Sequence, residues 1–133
     1  MSDKDRIRIE TDADIVNARQ RGREMAAGLG FSSADLTMIA TAISELARNI
    51  VEYARTGEIA VKLVSRNSNK GVAIIAHDDG PGISNIDQAM RDGFSTGDGL
   101  GLGLPGVRRL MDEFEITSEI GKGTTVAVKK WRQ

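Results

Sequence analysis

The apolar residues in the first half of the chain follow two spacings, which predict one strand and two helices. Residues 6–9 alternate between polar and apolar side chains, as in a half-buried strand. Over residues 15–29, and again over 36–54, apolar residues recur every three or four positions, as on one face of an amphipathic helix. Gly28 and Gly30 separate the two helices, because glycine favours the end of a helix.

The second half of the chain is dominated by alternation with a period of two, which predicts four strands. These strands are expected over residues 58–66, 72–77, 113–119 and 124–131, and the first two are expected to form a hairpin. The second of these strands begins with a continuous apolar run over residues 72–76, which indicates a central strand. A helix is expected to start near Pro105, since proline fits the first turn of a helix.

The predicted elements follow one another in the order β-α-α-β-β-α-β-β, with no linker or internal repeat between them. This order predicts a single α+β domain over residues 1–133, a two-layer sandwich in which helices cover one face of a mixed β-sheet. A Rossmann fold is not expected, because the glycine-dense segment does not directly follow a predicted strand.

Composition and charge narrow the classes of function that the chain can serve. The net charge of the 133 residues is −1, which argues against a general nucleic-acid binder. Cysteine is absent, so cysteine-ligated zinc and a cysteine nucleophile are excluded, and the single histidine disfavours His-rich metal sites. The longest apolar runs are about five residues, far short of the ~20 that span a membrane, and no signal peptide is visible. A cytoplasmic protein without membrane association is therefore expected.

The middle of the second predicted helix carries a carboxylate and an amide one turn apart. Glu45 and Asn49 lie about 40° from each other around the helix axis and more than ~100° from the apolar stripe, which predicts a face outside the core. On such a face the pair is either solvated or functional. A carboxylate beside an amide oxygen suits a general base and a Mg²⁺ ligand, because Mg²⁺ prefers oxygen ligands and keeps several waters.

A second cluster of polar and glycine residues follows the apolar strand 72–77. Asp78 stands at the end of this run, where an unpaired carboxylate is unfavourable unless it has a function. A carboxylate accepts a hydrogen bond from the amino group of adenine, and Gly80 and Gly82 would let a flat ring approach the backbone. The same residues are typical of a turn that ends a strand, so both interpretations stay open.

The third cluster is the glycine-dense segment 97–104, which leads into the helix at Pro105. Glycine-rich backbone at a helix N-terminus offers N–H groups to an anion, although the Lys-Ser/Thr pair of a P-loop is absent. We expect residues from about 92 to 103 to form a lid that orders when ATP binds, because free glycines carry high conformational entropy.

Together and in this order, the clusters resemble the nucleotide-binding boxes of the GHKL ATPase/kinase superfamily, which includes gyrase, Hsp90, histidine kinases and MutL. Residues 45–49 are similar to the N box, residues 78–82 to the G1 box and residues 97–104 to the G2 box. Residues 121–124 resemble the end of the nucleotide site. The resemblance covers essentially the whole chain and implies a Bergerat (GHKL) fold.

The resemblance also implies a role for each residue of these boxes. Glu45 is expected to be the catalytic base for the acceptor hydroxyl, and Asn49 to ligate the Mg²⁺ of Mg-ATP. Asp78 is expected to bind adenine. Gly80 and Gly82 are expected to admit the adenine ring. The residues expected to cradle phosphates are Gly99, Gly101, Gly103 and Leu104. Thr124 is expected to close the adenine side of the ATP site through its hydroxyl.

Longer segments are similar to one group within this superfamily, the small bacterial anti-sigma-factor-like kinases. Residues 41–50, 92–96 and 104–114 closely resemble the switch-protein serine/threonine kinases of the stressosome pathway. This implies phosphorylation of STAS-domain proteins of the RsbS and RsbR type. It also implies that the released kinase activates a PP2C-type phosphatase of the RsbU type in general stress sigma-factor regulation. One departure is that residues 94–107 contain no Lys or Arg, whereas many relatives carry a basic residue there that reaches the γ-phosphate.

Two other functions stay open beside this one. An anti-sigma factor kinase of the RsbW or SpoIIAB type would use the same nucleotide site and would also sequester a sigma factor. The segment 103–107 favours the switch kinases over that group. A nucleotide-gated binding module without catalysis would have no need of a base at Glu45.

Overall fold

The helices and strands follow one another in the predicted order β-α-α-β-β-α-β-β. The structure is a computed structural model that describes residues 4–83, 90 and 103–132. None of the helices in these ranges is both long and apolar enough to cross a membrane. The elements are β1 (Lys4–Ile9), α1 (Asp12–Ala27), α2 (Ser33–Asn49) with a π-helical turn that continues it (Ile50–Ala54), β2 (Gly57–Arg66), β3 (Asn69–Asp78), α3 (Gly103–Leu110), β4 (Glu113–Glu119) and β5 (Gly123–Trp131).

The strands form one sheet in the order β1-β2-β3-β5-β4, and every neighbouring pair is antiparallel. The α+β class is confirmed, but the prediction of a mixed sheet is wrong. The crossover that contains α3 does join two strands of the same direction, β3 and β4. Because the hairpin partner of β4, strand β5, lies between them, no parallel pair forms among the described strands.

The sheet face under the helices consists of rows of apolar side chains that run across the strands. Each fully buried Val or Ile in these rows stabilises the fold by roughly 1.5–3 kcal/mol relative to an exposed one. Two such rows are Ile59–Ala76–Val126 and Val61–Ile74–Val128.

α2 is the central element of the helical layer, where it contacts α1, α3 and the sheet. Its core residues Ile39, Ile43 and Leu46 are buried. Gly22 of α1 packs so closely against α2 that a Cβ there would overlap the Cδ1 of Ile43. Burial also extends around the helix, because every residue from 42 to 47 is buried. This stretch of α2 therefore presents no solvated face.

α1 begins with a capping box that consists of Thr11 and Asp14. The Thr11 hydroxyl accepts the N–H of Asp14 at 3.3 Å, and the Asp14 carboxylate accepts the N–H groups of Glu10 and Thr11 at 2.9 and 3.0 Å. The bonds from the Glu10 and Thr11 N–H groups hold the pKa of Asp14 below its ordinary value, because they favour the ionised form.

We expect Asp14→Ala to lower the melting temperature at pH 7 and to reduce the further loss of stability on acidification. Because the pKa of Asp14 is lowered on folding, its ionised form stabilises the fold above its ordinary pKa of about 3.9. That contribution disappears as the pH falls through the folded pKa. Thermal unfolding at neutral pH and at about pH 2.5 measures both effects.

Asp12→Ala is the matched control for this prediction, since Asp12 lies in the same exposed turn and is not part of the capping box. An equal response of the Asp12 and Asp14 variants to pH would contradict the role of Asp14.

Candidate functional site

One cross-strand row at the end of the sheet contains polar residues and glycine instead of apolar side chains. In the strand register, Gly57 pairs with Asp78, Asp78 with Thr124, and Thr124 with Ser118. This row lies two residues beyond the apolar row that contains Ala76, and hence on the same face of the sheet, because side chains alternate with a period of two. Asp78 and Thr124, both expected at the nucleotide site, are therefore direct neighbours.

The Asp78 carboxylate is half-buried and only partly engaged. Its Oδ1 accepts the N–H of Gly80 at 2.9 Å, which closes the turn after β3. Its Oδ2 has no hydrogen-bond donor in the described part of the chain, so it can accept a bond from a ligand. A Cβ at Gly80 would lie 2.6 Å from the Cβ of Ala54. Packing against the π-helical turn therefore already requires a glycine at position 80, and the access of a flat ring stays a prediction.

The loop that follows β3 is fastened to the β4–β5 hairpin. Gly121 donates its N–H to the carbonyl of Pro81 at 2.9 Å, and Ile83 donates its N–H to Ser118 Oγ at 2.7 Å. Ser118 Oγ also lies 2.8 Å from Thr124 Oγ1. Ser118 therefore connects this loop to the Thr124 hydroxyl.

The sequence analysis did not identify Ser118 as a site residue. A signal was present, because Ser118 continues the inward alternation of Phe114 and Ile116 along β4 with a polar side chain. A polar residue at an inward position requires a partner, and Ser118 Oγ has three: the N–H of Ile83, the hydroxyl of Thr124 and the carbonyl of Gly123, to which it donates at 3.1 Å.

Glu45 is buried, with 7% of its surface exposed. The prediction of a face outside the core is wrong for Glu45, because α3 packs against that side of α2. Glu45 Oε1 accepts a hydrogen bond from Arg48 Nη1 at 2.8 Å, and Oε2 accepts the backbone N–H of Gly103 at 3.3 Å. The carboxylate thus has a cation and the N-terminus of α3 as partners, which offset the loss of hydration.

Asn49 is the last residue of α2 and lies one turn from Glu45, as predicted. Its side chain is half-buried, and within the described ranges its amide makes no hydrogen bond.

The π-helical turn follows Asn49 and ends at Ala54, which contacts Gly80. This turn therefore connects the Glu45 and Asn49 end of α2 with the Asp78 end of β3. No pattern in the sequence indicated that the helix would widen at this point.

The predicted phosphate-binding residues are only partly covered by the structure. Gly99, Gly101 and the predicted lid up to residue 102 lie outside the described residues. Gly103 is the first residue of α3 and has a positive φ of 67°. The Leu104 side chain belongs to the hydrophobic core, so a phosphate could use only its backbone.

In residues 4–83, 90 and 103–132, no group of three or more His, Asp or Glu side chains could hold a metal ion by itself. A Mg²⁺ ion at this site would depend on the Asn49 amide oxygen, on phosphate oxygens of a nucleotide and on water. Mg²⁺ accepts this set of ligands, because it usually keeps several waters and binds few protein groups. The residues present therefore fit a Mg-nucleotide rather than an isolated metal ion.

Comparison with known proteins finds a protein family that the chain matches and relatives of similar sequence. Residues 34–133 match the family described as "Histidine kinase-, DNA gyrase B-, and HSP90-like ATPase". The chain is 54% identical over 131 residues to Serine/threonine-protein kinase RsbT of Bacillus subtilis (strain 168), with 98% of each chain covered. It is 34% identical over 101 residues to Anti-sigma F factor of Geobacillus thermodenitrificans (strain NG80-2), covering 72% of this chain and 69% of the relative.

Solved structures of lower sequence identity share the fold. The RsbU and RsbW domains of a Mycobacterium tuberculosis protein superpose with a TM-score of 0.63 at 23% identity, covering 97% of this chain and 32% of the other. The mycobacterial sensor histidine kinase MprB superposes with a TM-score of 0.57 at 15% identity, covering 95% and 97%. These likenesses, with the family match, confirm the predicted GHKL fold.

We expect Gly82→Ala to destabilise the fold more than Gly121→Ala. Both glycines have left-handed backbone, with φ of 79° and 80°, so alanine costs roughly 1–2 kcal/mol at either position. At Gly82 the added Cβ would also overlap the carbonyl oxygen of Glu119, whereas at Gly121 it would meet nothing within 4 Å. Urea unfolding measures the difference, and equal free energies of unfolding would argue against the close contact at Gly82.

Proposed function

The chain belongs to the family of histidine kinase-, DNA gyrase B- and HSP90-like ATPases, and on this basis we propose that it is an ATP-dependent serine/threonine protein kinase in sigma-factor regulation. The observation that carries the proposal is the buried Glu45 carboxylate, one turn from the Asn49 amide, in a chain 54% identical to a protein named as such a kinase. A binding module without catalysis would have no need of a base at Glu45.

The polar row at the end of the sheet is the proposed adenine site. Asp78 would accept a hydrogen bond from the adenine amino group through Oδ2, since Oδ1 already holds the N–H of Gly80. Thr124, next to Asp78 in the register, would close this side through its hydroxyl, which Ser118 orients from 2.8 Å. The fixed loop and strand ends would thus present these groups without rearrangement.

The end of α2 is the proposed place of the metal and of the reacting groups. Asn49 would offer its amide oxygen to Mg²⁺, which supplies neutralisation of the charge on the phosphate oxygens. Gly103 and the backbone of Leu104, with Gly99 and Gly101, would bind phosphates through N–H groups. Glu45, one turn from Asn49 on α2 and bonded to the N–H of Gly103, would act on the acceptor hydroxyl.

Glu45 is the proposed general base. Phosphoryl transfer depends mainly on positioning and charge stabilisation rather than on covalent help from the protein. Glu45 would take the proton of the acceptor hydroxyl while the hydroxyl oxygen bonds to the γ-phosphorus. The bond from that phosphorus to ADP breaks, and its electron pair leaves with ADP. Burial of the carboxylate keeps water from competing for the same proton.

For the acceptor and for a downstream partner, the proposal follows the resemblance to the switch-protein kinases. The acceptors would be Ser or Thr residues of STAS-domain proteins of the RsbS and RsbR type in a stressosome. The released kinase would activate a PP2C-type phosphatase of the RsbU type, and both events would take place in the cytoplasm. The 54% identity to RsbT over 98% of each chain supports this assignment.

An anti-sigma factor kinase is the second candidate function, favoured by the 34% identity to an Anti-sigma F factor. The two functions differ in whether a sigma factor binds directly. A pull-down with the immobilised chain and Mg-ADP tests this, and we expect a STAS-domain protein to be retained and a sigma factor not.

We expect Asn49→Ala and Asp78→Asn each to weaken Mg-ADP binding by about tenfold or more. Asn49→Ala removes the proposed protein ligand of Mg²⁺. Asp78→Asn removes the charged acceptor of a hydrogen bond, and such a bond contributes roughly 1.5–3 kcal/mol. Both variants are expected to keep the fold, since neither side chain belongs to the hydrophobic core. Titration calorimetry measures the affinity, with Asn17→Ala on the exposed surface of α1 as control. Wild-type affinity in both site variants would refute the proposed nucleotide site.

We expect Glu45→Gln to retain Mg-ADP binding and to slow phosphotransfer by about 10²–10⁴-fold, the usual loss when a general base is removed. Glutamine keeps the shape of the buried side chain and its contact with Arg48. Transfer of labelled phosphate from ATP to a STAS-domain protein under single-turnover conditions is the measurement. Unchanged transfer would remove Glu45 from the mechanism, and no transfer by the wild-type chain would refute the kinase proposal.

A further inference from the structure

Arg48 lies beside the proposed base and has no role in the mechanism described so far. Its Nη1 is 2.8 Å from Glu45 Oε1, and its side chain is 41% exposed, compared with 9% for that of Glu45. The guanidinium is therefore partly exposed, whereas the carboxylate that it contacts is buried. This cation is of interest because residues 94–107 contain no Lys or Arg.

Helix geometry places three polar side chains on one side of α2. At 100° per residue, Arg48 and Asn49 lie about 60° and 40° from Glu45, in opposite directions around the axis. Glu45 thus stands between a cation and the proposed metal ligand.

The two oxygens of the Glu45 carboxylate are held unequally. Oε1 has the charge-assisted bond from the Arg48 guanidinium at 2.8 Å, whereas Oε2 has the backbone N–H of Gly103 at 3.3 Å. Both bonds end on a charged oxygen, but the bond from Arg48 is the shorter one and joins two ionised groups, so Oε1 is the more firmly held oxygen. A new hydrogen-bond donor can therefore replace the partner of Oε2 at a lower cost in free energy than the partner of Oε1.

We propose that Arg48 is a positioning residue for phosphotransfer, an inference that rests on the kinase function proposed above. Arg48 fixes Oε1, so that Oε2 is directed to the acceptor hydroxyl whose proton it takes. If the N–H of Gly103 turns to a phosphate, the Glu45 carboxylate loses that partner and Arg48 continues to hold it in place.

The other cations near α3 are less well placed for this role. Arg108 and Arg109 lie in the last turn of α3, five and six residues beyond Gly103, which is roughly 8–9 Å along the helix axis. Gly103, at the opposite end of α3, is the residue that contacts Glu45. Among the basic residues that the structure describes, Arg48 is therefore the one that bonds to the Glu45 carboxylate.

The test is a double-mutant cycle on Glu45 and Arg48, measured as single-turnover phosphotransfer to a STAS-domain protein. We expect Arg48→Ala to lower the rate about 10- to 100-fold, as for a misplaced reacting group. Arg48→Lys keeps the charge without the planar fork and should lose less. In the Glu45→Gln background, Arg48→Ala should change the rate by no more than about twofold, because coupled residues are not additive.

Two further readouts separate positioning from a structural or phosphate-binding role. The affinity for Mg-ADP should stay within about twofold of wild type in Arg48→Ala, and added guanidinium ion should restore part of the transfer rate. Arg19→Ala, on the exposed surface of α1, is the matched control and should leave both quantities unchanged.

Several outcomes would overturn the inference. An unchanged rate in Arg48→Ala would show that the ion pair has no part in transfer. If Arg48→Ala lowers the transfer rate by the same factor in the Glu45→Gln background as in the wild type, Arg48 acts on the phosphates or on the partner instead. If Arg48→Ala fails to fold, Arg48→Lys and Arg48→Gln take its place in the double-mutant cycle with Glu45→Gln. No transfer by the wild-type chain would refute the kinase proposal itself, and the inference with it.

Discussion

The buried carboxylate of Glu45 needs partners for its charge, and the surrounding structure provides them. Glu45 lies one turn before the end of α2, a helix that contacts α1, α3 and the sheet. Removing its charge from water is unfavourable unless other groups compensate it. Arg48 supplies one partner across a single helical turn, and the first N–H of α3, at Gly103, supplies the other. The helix that carries the proposed base and the end of the glycine-rich segment are thereby fixed to each other.

The polar end of the sheet depends on strand register. Gly57, Asp78, Thr124 and Ser118 share one row because β2, β3, β5 and β4 pair in this register and no other. A slip of one residue in any strand would turn its side chain to the opposite face. Gly123 allows the close approach of β5 to β3, since a Cβ there would overlap the carbonyl oxygen of Asp78. The apolar rows that fix the register thus also assemble the proposed adenine site.

Local periodicity is sufficient to predict the elements and several site residues, but not the contacts between distant parts of the chain. The period of α2 places Glu45 and Asn49 one turn apart, and the end of an apolar run marks Asp78. The burial of Glu45 could not be predicted, because α3 covers it from 58 residues further along the chain. The pairing of Ser118 and the antiparallel order of the sheet depend on which strands become neighbours, which the pattern of one strand does not contain.

The distance between the two halves of the proposed site is set by glycines that face the π-helical turn 50–54. A Cβ at Gly57 would lie 2.8 Å from a side-chain atom of the first residue of this turn, and a Cβ at Gly80 would lie 2.6 Å from that of the last. A side chain at either position would push the end of α2 away from the sheet, because close-packed interiors cannot absorb such an overlap. The separation of Asn49 from Asp78 therefore depends on these contacts. A nucleotide that binds both residues is thus sensitive to glycine packing even where it does not touch the glycines.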